Sequence, residues 1–358
     1  MTTAQAAAIS RPAIRVDGTL EQSLGEHALK ALLVEESTGG LFRCEASFIN
    51  WAPGASGGGM VFFQQGPLNF GKVLAVEFGP VGRSGAVFAG RISAVEARYP
   101  QAGPPEITVL AEDRFQDLRM ERRTRSFEQV SDADVVRRIA AAHGLTPEVQ
   151  LDGPTYPSLA QLNQSDLAFL RERMAAIDAE LWVDDRTLYA QMRASRRAGS
   201  ASFTYKENLL EFSVLADLAE QRTAVHVCGW DVSAKGAIDE SADEAAISRE
   251  LGSGRGGSSI LGQAFTARRE RIVSAVPLSK AEAKRMAEAR YRERARRFVR
   301  GSGTVNGDVR IRVGASIELH GLGPLFDGNY YVTLARHSFD LHSGFRSSFE
   351  VERPMIGP

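Results

Sequence analysis

Six histidines are present, and only His337 and His342 stand close enough to consider as a pair, in His337-Ser338-Phe339-Asp340-Leu341-His342. Along a strand these two positions face opposite sides, so they converge on a metal only across a bulge or turn. The reading adopted is a His337 hydrogen-bonded within a sheet and a His342 in the turn before Ser343-Gly344. Gly54-Ala55-Ser56-Gly57-Gly58 has the letters of a nucleophile elbow. An elbow needs a helix directly after its serine, whereas Gly59 and the strand-like Met60 to Phe63 follow, so a hairpin loop is expected. Asp184-Asp185 is the acidic pair placed most like a site, and at a predicted hairpin tip it reads as a solvated turn. Gly252-Ser253-Gly254-Arg255-Gly256-Gly257 fits Gly-x-Gly-x-x-Gly, but neither a feeding strand nor a following helix is apparent, and a mobile linker is expected. Cys44 and Cys228 are the only cysteines, too far apart for a metal-ligand motif and too few for a disulfide framework. No catalytic, cofactor-binding or metal residue is assigned, and an enzyme is not expected.

The elements that carry these residues belong to a chain of 358 residues with 43 basic and 44 acidic side chains, a formal charge of −1 and 43% hydrophobic residues. That balance describes a globular protein of two or three folding units and disfavours disorder, collagen and a strongly basic nucleic-acid binder. Lysine stands only at Lys30, Lys72, Lys206, Lys235, Lys280 and Lys284, and the remaining cations are arginines. Codon usage is the reading preferred for that excess over interfaces rich in bidentate pairs. No stretch is apolar enough to span a bilayer, and Met1 to Pro12 lacks the pattern of a signal peptide, so synthesis and folding in the cytoplasm are expected.

Residues 13 to about 112 read as strands. Phe42, Cys44, Ala46 and Phe48 alternate with Arg43, Glu45 and Ser47, and Leu74, Val76 and Phe78 repeat the period of two, which suggests a small barrel or sandwich. The period then changes. Ser131 to Asp134 forms a helix cap ahead of Val136, Ile139, Ala140 and His143, and a second helix starts at Ser165-Asp166. Leu181 to Ala190 makes a hairpin around Asp184-Asp185-Arg186. Strands return from Ala201, interrupted by a polar, loop-like Asp231 to Ser259. A capping box at Ser279 and Glu282 opens a helix whose buried face is Ala283, Ala287, Tyr291 and Ala295. Its arginines read as a solvated or subunit-contacting face, paired as Glu288 with Arg292, Glu293 with Arg297 and Glu282 with Arg285, ahead of a DNA-binding one.

Phe88 to Arg98 can be laid on Phe326 to Arg336 without a gap, and Phe, Gly, Ala and Arg coincide. Each copy follows a strand that ends at a glycine, Gly79 or Gly321. A duplicated β-domain and a chance likeness of two hairpins both remain open on this match.

The order of β-domain, α/β insert and second β-domain, with Ala160 to Ala175 (Ala-Gln-Leu-Asn-Gln-Ser-Asp-Leu-Ala-Phe-Leu-Arg-Glu-Arg-Met-Ala), resembles the phage late control gene D protein family. Met120 to Leu145, Ser279-Lys280-Ala281-Glu282-Ala283 and Gly321 to His337 extend the resemblance, and Asn163 to Leu170 is its most specific part. These are baseplate hub proteins of contractile phage tails and injection systems, similar to the N-terminal part of type VI valine-glycine repeat spike proteins. The resemblance implies an α+β, mainly β fold: a first β-barrel over 1–125, a small α/β insert over 126–200 and a second β-barrel over 201–358. It also implies a homotrimer whose six similar barrels fit a hexameric inner tube on one side and a trimeric spike on the other. Expected partners are other copies of the chain, the spike, the tube and other baseplate proteins, with no membrane insertion and no specific nucleic acid. The expected location is the cytoplasm during assembly and then the particle. Because the chain ends at Pro358, the resemblance implies the arrangement in which the spike is a separate polypeptide. The alternative reading is a tail-associated protein that degrades or binds cell wall, with 126–200 as its active module.

Overall fold

The computed structural model describes residues 11–52, 58–62, 66–79, 85–231, 234–273 and 279–357. The Gly54 to Gly57 part of the elbow-like sequence therefore lies outside the described residues. Six main strands come from the first part of the chain: β1 (Ala13–Val16), β2 (Leu29–Ser37), β3 (Arg43–Ile49), β4 (Val73–Phe78), β5 (Gly85–Arg98) and β6 (Glu106–Glu112), and the two-residue strand Thr19–Leu20 pairs with β1 at the edge. Six more come from the last: β7 (Ser200–Thr204), β8 (Leu209–Ala216), β9 (Val299–Asn306), β10 (Ser316–His320), β11 (Gly328–Asp340) and β12 (Gly344–Arg353). The alternation read from sequence holds. Phe42, Cys44, Ala46, Phe48, Leu74, Val76 and Phe78 are buried in one cluster, and Phe349 and Val351 in another.

The two halves share one strand order. The first runs β2-β3-β6-β5-β4-β1 and the second β8-β9-β12-β11-β10-β7. Their irregularities coincide as well. β5 is bulged between Ile92 and Ala94 against β6, and β11 between Val332 and Leu334 against β12. β2 is bulged between Leu29 and Ala31 against β3, and β8 between Leu209 and Glu211 against β9. Ile92 exchanges backbone bonds with Gly71 and Lys72, both 2.9 Å, as Val332 does with Gly314 and Ala315, both 3.0 Å. Bulges are specific placements of one extra residue, so repeated ones at matched positions mark a duplication. One strand differs in direction: β1 is antiparallel to β4, whereas β7 is parallel to β10.

The duplication corrects the alignment on which it was first read. Arg91 lies opposite Glu112 and Tyr331 opposite Glu352, so Arg91 corresponds to Tyr331 rather than to Asn329. The Phe-x-Gly match is two residues out of structural register. A slip of two keeps every side chain on its own face, which is why the shifted match still showed the strand pattern.

Two separate barrels are not what the hydrogen bonds draw. The halves run on in a single thirteen-stranded sheet, and among the described residues its strand path does not close on itself. The cause is β2, which pairs antiparallel with β11 from Ser37 opposite Leu334 to Ala31 opposite Asp340. Arg336 Nε donates to Glu35 at 2.6 Å across this junction. The buried Glu36 accepts the Val313 N–H at 3.3 Å and pairs with Arg312, tying β2 to the turn ahead of β10.

Between the halves lies the α/β unit. Ser131 and Asp134 form the expected capping box of helix α1 (Asp132–Ala142), and Ser165 caps α2 (Asp166–Ala176). The hairpin pairs Asp184 with Thr187, leaving Asp185 and Arg186 at its tip. The apolar cluster of this unit begins earlier than 126, taking in Phe115 and Leu118.

A second α/β unit, not foreseen, interrupts the last half between β8 and β9. Ala224–Asp231, Gly236–Ala242 and Arg269–Ile272 form a three-stranded sheet, on which Ala283, Ala287, Tyr291 and Ala295 of the capped helix Lys280–Arg296 are packed. The polar reading of Asp231 to Ser259 failed because this sheet is short and buries few residues per strand, among them Ile238 and Ala242. The glycine run is corrected too. Arg255–Gly256 pairs with Met355–Ile356, and a helix spans Gly257–Phe265. Its glycines permit close approach instead of motion: a Cβ on Gly257 would stand 2.6 Å from Cγ of the buried Phe298 and 2.8 Å from Gln221 Oε1. Gly257→Ala is expected to lower unfolding stability by about 1–3 kcal/mol. Urea denaturation checks this, and an unchanged midpoint would restore the linker reading.

Candidate functional site

His337 lies where expected. It is fully buried, Nε2 donates to the Ile311 carbonyl at 3.0 Å, and Nδ1 faces Ser347 Oγ at 2.9 Å. His342 is in the turn, its N–H bonded to Asp340 Oδ1 at 2.8 Å. The two imidazoles are not brought together on a metal, and among the described residues no group of three His, Cys, Asp or Glu is placed to hold one. Cys44 is buried, and desolvation holds its thiol protonated, well above the usual range. Asp185 sits at the hairpin tip with φ of 49°.

Sequence reasoning missed two buried carboxylates that organise the α/β unit. Asp166, at the start of α2, accepts from Arg125 Nη2 at 2.6 Å and Gln161 Nε2 at 2.9 Å, and contacts His143 Nε2 at 2.8 Å. Burial raises its pKa, but His143, Gln161 and the arginines outweigh that and hold it below the usual carboxylate range. Ahead of it the strand Tyr156–Ser165 is bulged between Gln161 and Gln164, with Asn163 at φ 48°. Asp132 is held similarly, by Arg173 Nε at 2.7 Å and Tyr156 Oη at 3.2 Å.

The main polar constellation joins the first α/β unit to the second half. A cleft of about 640 Å³ opens there, lined by Arg193, Arg196, Arg249, Arg296, Arg353 and Glu352 among others. Behind the lining residues Arg196 and Tyr331, the buried Glu180 accepts from Arg196 Nη1 at 2.8 Å and from Tyr331 Oη at 2.5 Å. Arg193 stacks over the Tyr331 ring at 4.3 Å and donates to Glu352 at 2.5 Å. Arg296, at the end of the long helix, bonds Asp178 through Nη1 and Nη2 at 2.5 and 2.9 Å, and Glu250 through Nε and Nη2 at 2.8 and 2.7 Å. Burial alone disfavours that charge, but the bonds to Glu250 and Asp178 hold the guanidinium above its ordinary pKa.

The helix arginines are therefore only partly a solvated face. Glu288 pairs with Arg292 as expected, at 3.2 Å, but Glu293 pairs with Arg290 and Arg297 reaches Glu220. Arg294 grips Glu270 with two bonds of 2.5 and 2.6 Å. These forks match the planar, bidentate use of guanidinium that the arginine excess left as the less favoured reading. Arg193, Arg196 and Arg296 are each matched to an acid, and Arg353 donates to the Leu325 and Asp327 carbonyls at 2.6 and 2.8 Å, so the constellation fastens elements together.

The fold is similar to that of solved phage tail proteins. The 43 kDa tail protein of prophage MuSo2 from Shewanella oneidensis matches at a TM-score of 0.71 and 14% identity, over 96% of this chain and 98% of that one. The tail protein from Neisseria meningitidis MC58 matches at 0.70 and 11%, over 97% of each chain. The E. coli c3393 protein, a component of the type VI secretion system, matches at 0.59 and 10%, over 96% of this chain and 79% of that one. The tail-protein resemblance read from the sequence thus holds over nearly the whole chain. The chain belongs to the family described as the Alg8 N-terminal domain, whose model matches residues 64–340. No curated protein matches the sequence.

Proposed function

We propose that this chain is the structural baseplate hub of a contractile phage tail or tail-like injection system. In this reading it forms a homotrimer that mates the hexameric inner tube to the trimeric spike, and it catalyses no reaction. One observation carries it: the two halves repeat strand order and bulges, so three copies present six similar β units around an axis while the α/β units repeat only three times. In this reading the chain divides into 1–125, 126–200 and 201–358, with the core of the insert reaching back to Phe115 and Leu118 and the outer parts acting as tube-type barrel domains once the ring curves their shared sheet. The fold likeness to tail proteins and to a type VI secretion component supports the same role and the same class of partners, spike and tube. The chain is then built in the cytoplasm into a particle. The test is the native mass of the full chain co-purified with its particle, together with an image of the baseplate. Three copies on the axis are expected. A species that is monomeric in the particle, or absent from the axis, would sink the reading.

A further inference from the structure

The junction between the halves uses one copy of each joining edge and leaves the other copy open. β11 is bonded along Leu334–Asp340 by β2. The equivalent stretch of β5, Ala94–Arg98, is paired with β6 on one side and has no ladder partner on the other among the described residues. β8, the counterpart of β2, ends the sheet, paired only with β9. One molecule thus carries both halves of a second junction on different edges. Long open edges of this kind are normally covered.

We infer that β8 of one copy pairs antiparallel with β5 of the next, in the register of the internal junction. Through the matched bulges, Leu334 corresponds to Ala94 and Glu35 to Leu215. The pairing then sets Val95 opposite Ala216, Glu96 opposite Leu215, Ala97 opposite Val214 and Arg98 opposite Ser213. This deepens the ring proposed above and rests on it for the number of copies.

Both faces of the two edges are complementary in that register. On the core side, Val95 packs against the first core, and Val214 and Ala216 against the second, so the new pairs are apolar on apolar. On the other side, Glu96 lands on Leu215, next to Arg300, which β9 places opposite Leu215. Arg98 lands on Ser213, diagonal to Glu211. At that point a groove of about 460 Å³ is lined by Glu211, Ser213, Ser302, Thr304, Ser348 and Glu350, and by Arg336, which already stands 3.8 Å from Glu350. Glu211 accepts from Thr304 Oγ1 at 2.9 Å and has no ion pair among the described residues, so it is the carboxylate that suits an incoming guanidinium. The contact is heterologous, each copy giving a different edge to each neighbour, so it closes only as a ring.

The phase of the ladder is set by the bond from Thr38 N–H to the Thr333 carbonyl, 3.0 Å. Hydrogen-bonded pairs alternate from there, so Arg336 and Glu35 form a non-bonded pair with close Cβ atoms, and so do Glu96 and Leu215 of the next copy. The full chain carrying Glu96→Cys and Leu215→Cys in a Cys228→Ser background, oxidised in the particle, is expected to give covalent multimers on a denaturing gel. Glu96→Cys with Val214→Cys, one residue out of phase, is expected to give none. Native mass of the same samples separates the two readings. Three copies without the Glu96–Leu215 bond would overturn the pairing and leave the ring. The bond with another copy number would overturn the trimer and leave the pairing, and neither would overturn both. Ala97→Pro adds an independent check, because the Ala97 N–H points to the open side and its loss spares the ladder to β6. A monomer with unchanged circular dichroism and melting, and loss of assembly, is expected; assembly equal to the parent chain would overturn the pairing.

Discussion

Arg296→Leu is expected to lower the free energy of unfolding by about 3–5 kcal/mol, the range for removing one partner of a buried ion pair. The side chain is 3% exposed and satisfies two acids from different parts of the chain, Asp178 after α2 and Glu250 in the second α/β unit. Leucine fills part of the space but leaves the Asp178 carboxylate, itself 8% exposed, without its two bonds to Arg296 and with only the more distant Arg292, at 3.8 Å, as counter-charge. Arg296→Lys keeps the charge and loses the fork, so an intermediate loss is expected. Equilibrium urea unfolding of the three proteins measures this. A loss under about 1 kcal/mol for the leucine variant would place the pair with exposed salt bridges and remove Arg296 from the joint.

The second large effect is a pH dependence centred on His337. Burial, with Arg312 nearby, lowers its pKa from 6.5 to about 4. The folded state therefore refuses a proton that the unfolded chain accepts, so stability is fully present above the unfolded value and is lost as pH falls from about 6.5 toward 4. The shift corresponds to about 3 kcal/mol across that window. Asp113 acts in the opposite sense. Burial raises its pKa from 3.8 to about 7, so its contribution is complete at low pH and is lost as pH rises toward 7. The two partly cancel in the parent protein, and the comparison with His337→Gln isolates the histidine. The stability difference between parent and variant is expected to shrink by about 3 kcal/mol between pH 7 and pH 4. Parallel stability–pH curves would show that His337 takes up its proton in the folded state as readily as in the unfolded one.

His337 was legible in advance because a lone imidazole on an alternating strand, next to Ser338 and Phe339, has few roles besides satisfied burial. The caps at Ser131, Ser165 and Ser279 were legible for a similar reason: a serine before a periodic run bonds N–H groups two or three residues away, and nothing distant alters that. The glycine run from Gly252 was misread because composition alone cannot separate a glycine that moves from one pressed against Phe298. The sheet of Ala224–Asp231 and Gly236–Ala242 was half missed, since its second strand buries little more than Ile238 and Ala242.

By itself the amino-acid sequence determined the local choices: which segments alternate, where helices begin, and that two β regions flank an α/β unit; it left the repeat of the hairpin open. Tertiary structure decided which edges meet. The β2–β11 junction, the two-residue correction of the repeat and the partners of Arg193, Arg294 and Arg296 all depend on positions far apart in the chain. Arg296 and Asp178 are 118 residues apart, and no spacing rule connects them. A strand's faces repeat every two residues, so sequence determines what it buries while leaving its register, and hence its neighbour, to the folded sheet.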